Sequence, residues 1–237
     1  MSENKRKGRR TVLLIISIIA ISWILVWGLE FFGVIQKKSY TAENFGISTV
    51  HSGMDFNGNG SDDYADFVTG ARIDAENKPE YNDAYYEGGY PPDNVGVCTD
   101  VIWRAFRYAG YSLKDMVDKD IAENTEMYPR VNGNPDPNID FRRVANLYVY
   151  FSRYAQSLTT DPDDFSQWQP GDIVTYTKGH IAIISDKRNK YGVPYIIHNS
   201  GQPVREEDKL DWGEISGHFR FDASKISDED LIPFKSS

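Results

Sequence analysis

The sequence holds a single cysteine, Cys98, and only four histidines among its 237 residues. One thiol excludes an intramolecular disulfide framework, so the fold has to be held chiefly by its core. The scarcity of histidine confines imidazole chemistry to His51, His180, His198 and His218. Basic residues are also in deficit, 26 Lys and Arg against 35 Asp and Glu, for a net charge of −9. Five of those basic residues (Lys5, Arg6, Lys7, Arg9 and Arg10) stand at the amino terminus. The rest of the chain is therefore more acidic still, which argues against nucleic acid as a partner. No internal repeat is found, and there is one long uncharged apolar run, residues 11–29.

That run is long enough to cross a bilayer, and no small-residue cleavage site follows it. An uncleaved signal anchor fits better than a cleaved signal peptide. The five positive charges before the run, against Lys37 and Lys38 after it, put the amino terminus in the cytoplasm and the rest of the chain outside. The expected organisation is a basic tail and anchor (1–35), a linker with a loop and helix (36–75), and an extracytoplasmic domain (76–237) of a cell-membrane protein.

Within the linker region, Asp55, Asn57, Asn59, Asp63 and Asp66 occupy positions 1, 3, 5, 9 and 12 of a loop with Gly60 at position 6. This is EF-hand spacing, with Asp in place of the bidentate Glu at position 12. Two readings stay open: a structural calcium site, or a turn that caps the helix carrying Tyr64, Phe67, Val68 and Ala71. Tyr81, Tyr85, Tyr86 and Tyr90, mixed with glycines, suit a cleft rim or a packed loop.

Periodicity predicts a helix from Cys98 to about Gly110, a second over 113–122 and a third opening at Ile139. The adjacent Arg142 and Arg143 could hold a substrate carboxylate or could be a salt-bridged helix start. Asp100, next to the nucleophile candidate, joins them as a substrate-binding candidate. After Leu158 the pattern turns to short β runs: 173–176, 179–184, 195–198 and 217–221. Helices followed by an antiparallel sheet predict an α+β domain.

Cys98 follows a glycine-led turn and starts an amphipathic helix, where unpaired N–H groups and the helix dipole favour a thiolate. A cysteine nucleophile needs a histidine to exchange the proton and a polar group to orient that histidine. His51 lies in the linker, where nothing orients it. His180 opens one strand and His198 ends the next, 18 residues later, so adjacent antiparallel strands can bring the rings together. His218, on the last strand, is the competitor.

Tyr90, Gly96-Val97-Cys98-Thr99-Asp100, Asn138 to Val144, Pro170-Gly171-Asp172-Ile173-Val174, His180-Ile181, His198-Asn199 and Ser216 to Arg220 resemble a bacterial domain family of unknown function. That family is similar to the NlpC-type papain-like cysteine amidases and peptidases that cut cell-wall peptides. The resemblance covers about residues 85–221. It implies papain-like helices packed on an antiparallel sheet, Cys98 as nucleophile, His180 as general base and acid, and His198 or Asn199 as the orienting group. It also implies that Tyr90 helps hold the oxyanion. Thr99-Asp100 after the cysteine departs from the wall peptidases' Asp-Cys-Ser.

The expected protein is a cysteine hydrolase anchored in the bilayer through residues 11–29, cleaving an amide of a cell-wall peptide through a Cys98 thioester. It needs no cofactor for catalysis. Acyl transfer from the same thioester and a non-catalytic wall-binding or calcium-dependent module are the alternatives.

Overall fold

The computed structural model describes residues 3–35 and 37–235. Met1, Ser2, Gln36, Ser236 and Ser237, which carry the outer limits of the expected segments, lie outside the described residues. So do the side chains of Lys5, Arg6 and Arg9, three of the five charges used to orient the anchor. The chain divides into two units, residues 1–38 and 39–237.

The first unit is helix α1 (Glu3–Phe31). Its stretch Arg10–Phe31 is apolar and long enough to cross a membrane and has no buried residues. Length and composition fit a single-pass anchor, and would equally fit a signal sequence.

The second unit begins with structure that the sequence pattern assigned to a linker. Helix α2 (Asp63–Asn77) starts where Asp62 accepts the Tyr64 N–H at 3.0 Å. Its apolar face cannot stay in water, and it packs on helix α3 (Cys98–Tyr108), with Phe67 stacked on Phe106 at 4.5 Å between ring centroids. The two helices touch at Gly70, where a Cβ would lie 2.5 Å from Tyr108 Cβ and 2.9 Å from Ala105 Cα. The domain boundary at residue 76 is therefore corrected: α2 is part of the core.

Gly110, at φ 94, reverses the chain after α3, and helix α4 (Leu113–Glu123) follows. The third expected helix starts later than its pattern suggested. Asp140–Arg142 form one 3₁₀ turn, Arg143 is extended, and helix α5 is Val144–Tyr154. Thr99 Oγ1 donates to the Arg142 carbonyl at 3.1 Å, and the Arg142 guanidinium is drawn to Asp100. These non-local bonds take the Arg142 carbonyl out of any helical ladder.

The sheet contains β3 (Gln156–Ser157), β4 (Ile173–Tyr176), β5 (His180–Arg188), β6 (Pro194–Ile197), β7 (Glu206–Glu207) and β8 (Ile215–Arg220). A separate two-stranded parallel pair joins β1 (Glu80–Tyr81) to β2 (Val95–Gly96), just before Cys98. In the sheet the order is β3-β8-β4-β5-β6-β7 and every neighbouring pair is antiparallel. Side chains alternate between faces. Ile173, Ile181, Ile183, Ile197 and Phe219 meet the helices, while Val174, Tyr176, Ala182, Ile184 and Ile196 close on Trp168 and Leu210. Both faces are buried, which is why these strands read as continuous apolar runs. The class is α+β.

Candidate active site

Cys98 is the first residue of α3 and is 6% exposed. The approach to it is set by Gly96, where a Cβ would lie 2.9 Å from Arg104 Nη1, and by Asn199, whose Nδ2 donates to the Gly96 carbonyl at 2.9 Å. Asp100 reaches back to accept the Val97 N–H at 2.7 Å, closing the first turn. Burial pushes the Cys98 thiol up to about 11, against backbone N–H groups of Ile181, Thr99 and Cys98 that favour the thiolate. The thiol therefore lies against the start of β5, one peptide from His180.

His180 is also buried, and Trp212 stacks on its ring at 4.2 Å. Its Nε2 is 2.7 Å from His198 Nδ1, and His198 Nε2 is 3.1 Å from Glu207 Oε1. Burial first, and then the neighbouring His198, push the His180 imidazole down to about 3. The resting pair is thus a neutral thiol and a neutral imidazole. No hydrogen bond joins Cys98 to His180, and His180 Nδ1 has no hydrogen bond among the described residues.

The structure brings Cys98, His180, His198 and Asn199 into one neighbourhood. It also separates the last two: His198 touches His180, whereas Asn199 holds the backbone before Cys98. His218 belongs elsewhere. Its nitrogens face the Thr159 carbonyl at 2.8 Å and Asp172 Oδ2 at 2.9 Å, and its ring stacks on Trp168 at 3.7 Å.

Four expected site residues are corrected. Tyr90 is not beside the thiol: its hydroxyl bonds Ser112 and its ring packs on Trp103, Phe141 and Phe234. The tyrosine whose ionisation Cys98 opposes, after burial, is Tyr81. Asp100 and Arg142, with side chains 0% and 1% exposed, are paired with each other and unavailable to a substrate. Asp100 accepts Arg142 Nε at 2.7 Å, Arg142 Nη2 at 2.9 Å and Trp103 Nε1 at 2.7 Å. Arg143 donates to the Arg130 carbonyl and to Asp140.

In the Asp55 loop, Asp55 accepts the N–H groups of Asn59 and Gly60, and both Asn57 Nδ2 and Asn59 Nδ2 donate to Asp66 Oδ2. Asp63 is turned away, accepting the Phe56 N–H and the Tyr111 hydroxyl. Among the described residues no group of three or more His, Cys, Asp or Glu is placed to hold a metal.

Glu207, Gln202 and Trp212 escaped the sequence reading, which placed Tyr81 only in a segment suited to a cleft rim or a packed loop. A cleft of about 280 Å³ at the seam of α2 and α3 is lined by Asp74, Arg104, Arg107 and Tyr108, and one of about 190 Å³ by His51, Tyr64, Arg72 and Asp186. Cys98 lines neither.

Fold and site together define an α+β protein with one buried helix-start cysteine beside a histidine pair. Residues 68–221 match the family described as a domain of unknown function, DUF1287, and the chain belongs to that family. It is similar to the uncharacterized protein YijF of Escherichia coli K12, 39% identical over 149 residues, covering 60% of this chain and 72% of that one. No solved structure matches. Cys98, His180, His198 and Glu207 all lie within the family match, and the Asp55–Asp66 loop lies before it.

Proposed function

We propose that this protein is a papain-like, NlpC-type cysteine hydrolase that cleaves an amide bond of a cell-wall peptide. The observation that carries this is the hydrogen-bonded chain His180–His198–Glu207, which begins one residue from the backbone N–H facing the Cys98 thiol. Cys98 Sγ attacks the amide carbonyl while its proton passes to His180 Nδ1. The backbone N–H of Cys98 is the donor offered to the developing oxyanion. The amine leaves with that proton, and water hydrolyses the thioester to a carboxylate, returning the thiol. The chemistry uses no cofactor. The anchor presents the domain to the wall from the outer face of the membrane, with the amino terminus inside.

Because burial keeps both groups neutral at rest, the proton moves during attack rather than before it. His180 is a general base acting in the transition state. The same burial, and the absence of Cys98 from the clefts described above, favour a second reading, a non-catalytic wall-binding module on this fold.

Digestion of purified cell wall by residues 39–237, the second unit, separates the two. Peptide fragments released by the wild type and lost in Cys98→Ala are expected. Equal fragment yield from the variant would overturn the nucleophile assignment, and no fragments from either would favour the binding module.

A further inference from the structure

We infer that Glu207 is a positioning residue that sets the proton direction of the histidine pair, acting through His198 to leave His180 Nδ1 unprotonated. This inference rests on the hydrolase reading and concerns how its base is prepared. Strand alternation separates the two adjacent glutamates of β7. Glu206 binds Arg72 and Lys187 and receives the Ser185 hydroxyl, fixing the strand, while Glu207 turns to His198.

An imidazole pair joined by one 2.7 Å hydrogen bond has two neutral arrangements. In one, His180 Nε2–H donates to His198 Nδ1, so His180 Nδ1 carries a lone pair and can take the thiol proton. In the other, His198 Nδ1–H donates to His180 Nε2, so His180 Nδ1 carries a hydrogen and cannot. The choice is made at the far nitrogen, His198 Nε2.

That nitrogen lies between two groups of opposite demand. Glu207 Oε1, 3.1 Å away, accepts only, and it requires Nε2–H. Gln202 Nε2, also 3.1 Å away, donates and would require a bare nitrogen. The Gln202 amide cannot simply turn over, because its Oε1 already accepts the Ser200 N–H at 2.8 Å and hydroxyl at 2.9 Å. It has a second acceptor, however, in the His198 carbonyl at 3.3 Å. A bond to a carboxylate is about twice as strong as one between neutral groups, so Glu207 decides. His198 then holds its hydrogen on Nε2, His180 holds its hydrogen on Nε2, and His180 Nδ1 is left as the base-competent nitrogen. When His180 takes the thiol proton, its Nε2–H still donates to His198 Nδ1, and the Glu207 carboxylate stands at the end of the same chain.

Glu207→Gln keeps shape and strand pairing but replaces the acceptor with an amide that can donate. The test is ¹⁵N NMR of histidine-labelled residues 39–237 at pH 7, which reports the protonated nitrogen of each ring without needing turnover. The expected wild-type spectrum shows His180 and His198 both protonated on Nε2 alone. In Glu207→Gln both are expected to move toward Nδ1–H, with alkylation of Cys98 by iodoacetamide at pH 7 slowed about 10- to 100-fold. A wild-type His198 protonated on Nδ1 or on both nitrogens, or a variant with unchanged tautomers, would overturn the assignment. The tautomers can follow this pattern even if the wild type releases no wall fragments, so a failure of the hydrolase reading is seen separately.

Discussion

His180→Gln is expected to lower turnover of wall substrate by roughly 10² to 10⁴, the usual contribution of a positioned general base. It is also expected to become more resistant to acid than the wild type. His180 titrates near 3 in the fold and at about 6.5 when unfolded. Between those values the unfolded chain carries a proton that the native site refuses, so wild-type stability falls as pH drops from about 6.5 to 3, by on the order of 5 kcal/mol. Above pH 6.5 the group contributes nothing to the slope.

Asp118 works in the opposite direction. Burial raises its carboxyl to about 6, so it penalises the fold above that pH and the penalty fades toward pH 4. The wild-type curve therefore mixes two opposed slopes, and the variant exposes one of them. Thermal melts of both proteins at pH 7.5 and pH 4 check this. Whatever packing the smaller side chain forfeits is read at pH 7.5. The gap should then move in the variant's favour at pH 4, and parallel curves would show that His180 is not held neutral.

Asp100→Asn is expected to cost about 3–5 kcal/mol, because it leaves the buried Arg142 guanidinium without its counter-charge. For a domain of this size the melting temperature should fall by on the order of 10 °C. The carboxylate gathers four donors, from Val97, Trp103 and twice from Arg142. Arg142 in turn donates to the Ala84 carbonyl at 3.0 Å. One side chain thus ties the turn before Cys98 to the segments around residues 84 and 142. Activity should fall together with stability, since the same bond to Val97 N–H closes the turn that presents the thiol. An unchanged melting temperature would mean that the pair is solvated in solution.

The cysteine and histidines of the candidate site were legible because their residue types are rare. With one cysteine and four histidines, helix periodicity placed Cys98 at a helix start, and strand spacing put His180 and His198 on neighbouring strands. The supporting groups were not legible, for a physical reason common to them all. Glu207 is one of many acidic residues, and only the register of β6 against β7 puts it beside His198. Tyr81 and Tyr90 both precede Cys98, and a two-residue parallel pairing distinguishes them. Asp100 read as accessible charge and Arg142 as either a substrate contact or a salt-bridged helix start, and only an ion pair across 42 positions of chain decided between them. Helix α2 was legible as a helix but was assigned to the linker segment, because only its packing on α3 shows that its apolar face belongs to the core.

The central claim is that a buried, neutral Cys98 thiol is made nucleophilic by His180 during attack. The most direct measurement is the rate of Cys98 alkylation by iodoacetamide from pH 5 to 8, in the wild type and in His180→Gln. With the imidazole titrating near 3 and the thiol near 11, the pair keeps one protonation state across that range. The predicted wild-type rate is therefore flat with pH and falls at least about tenfold in the variant. A rate that climbs tenfold per pH unit, equal in both proteins, would show that only stray thiolate reacts, and would contradict the account.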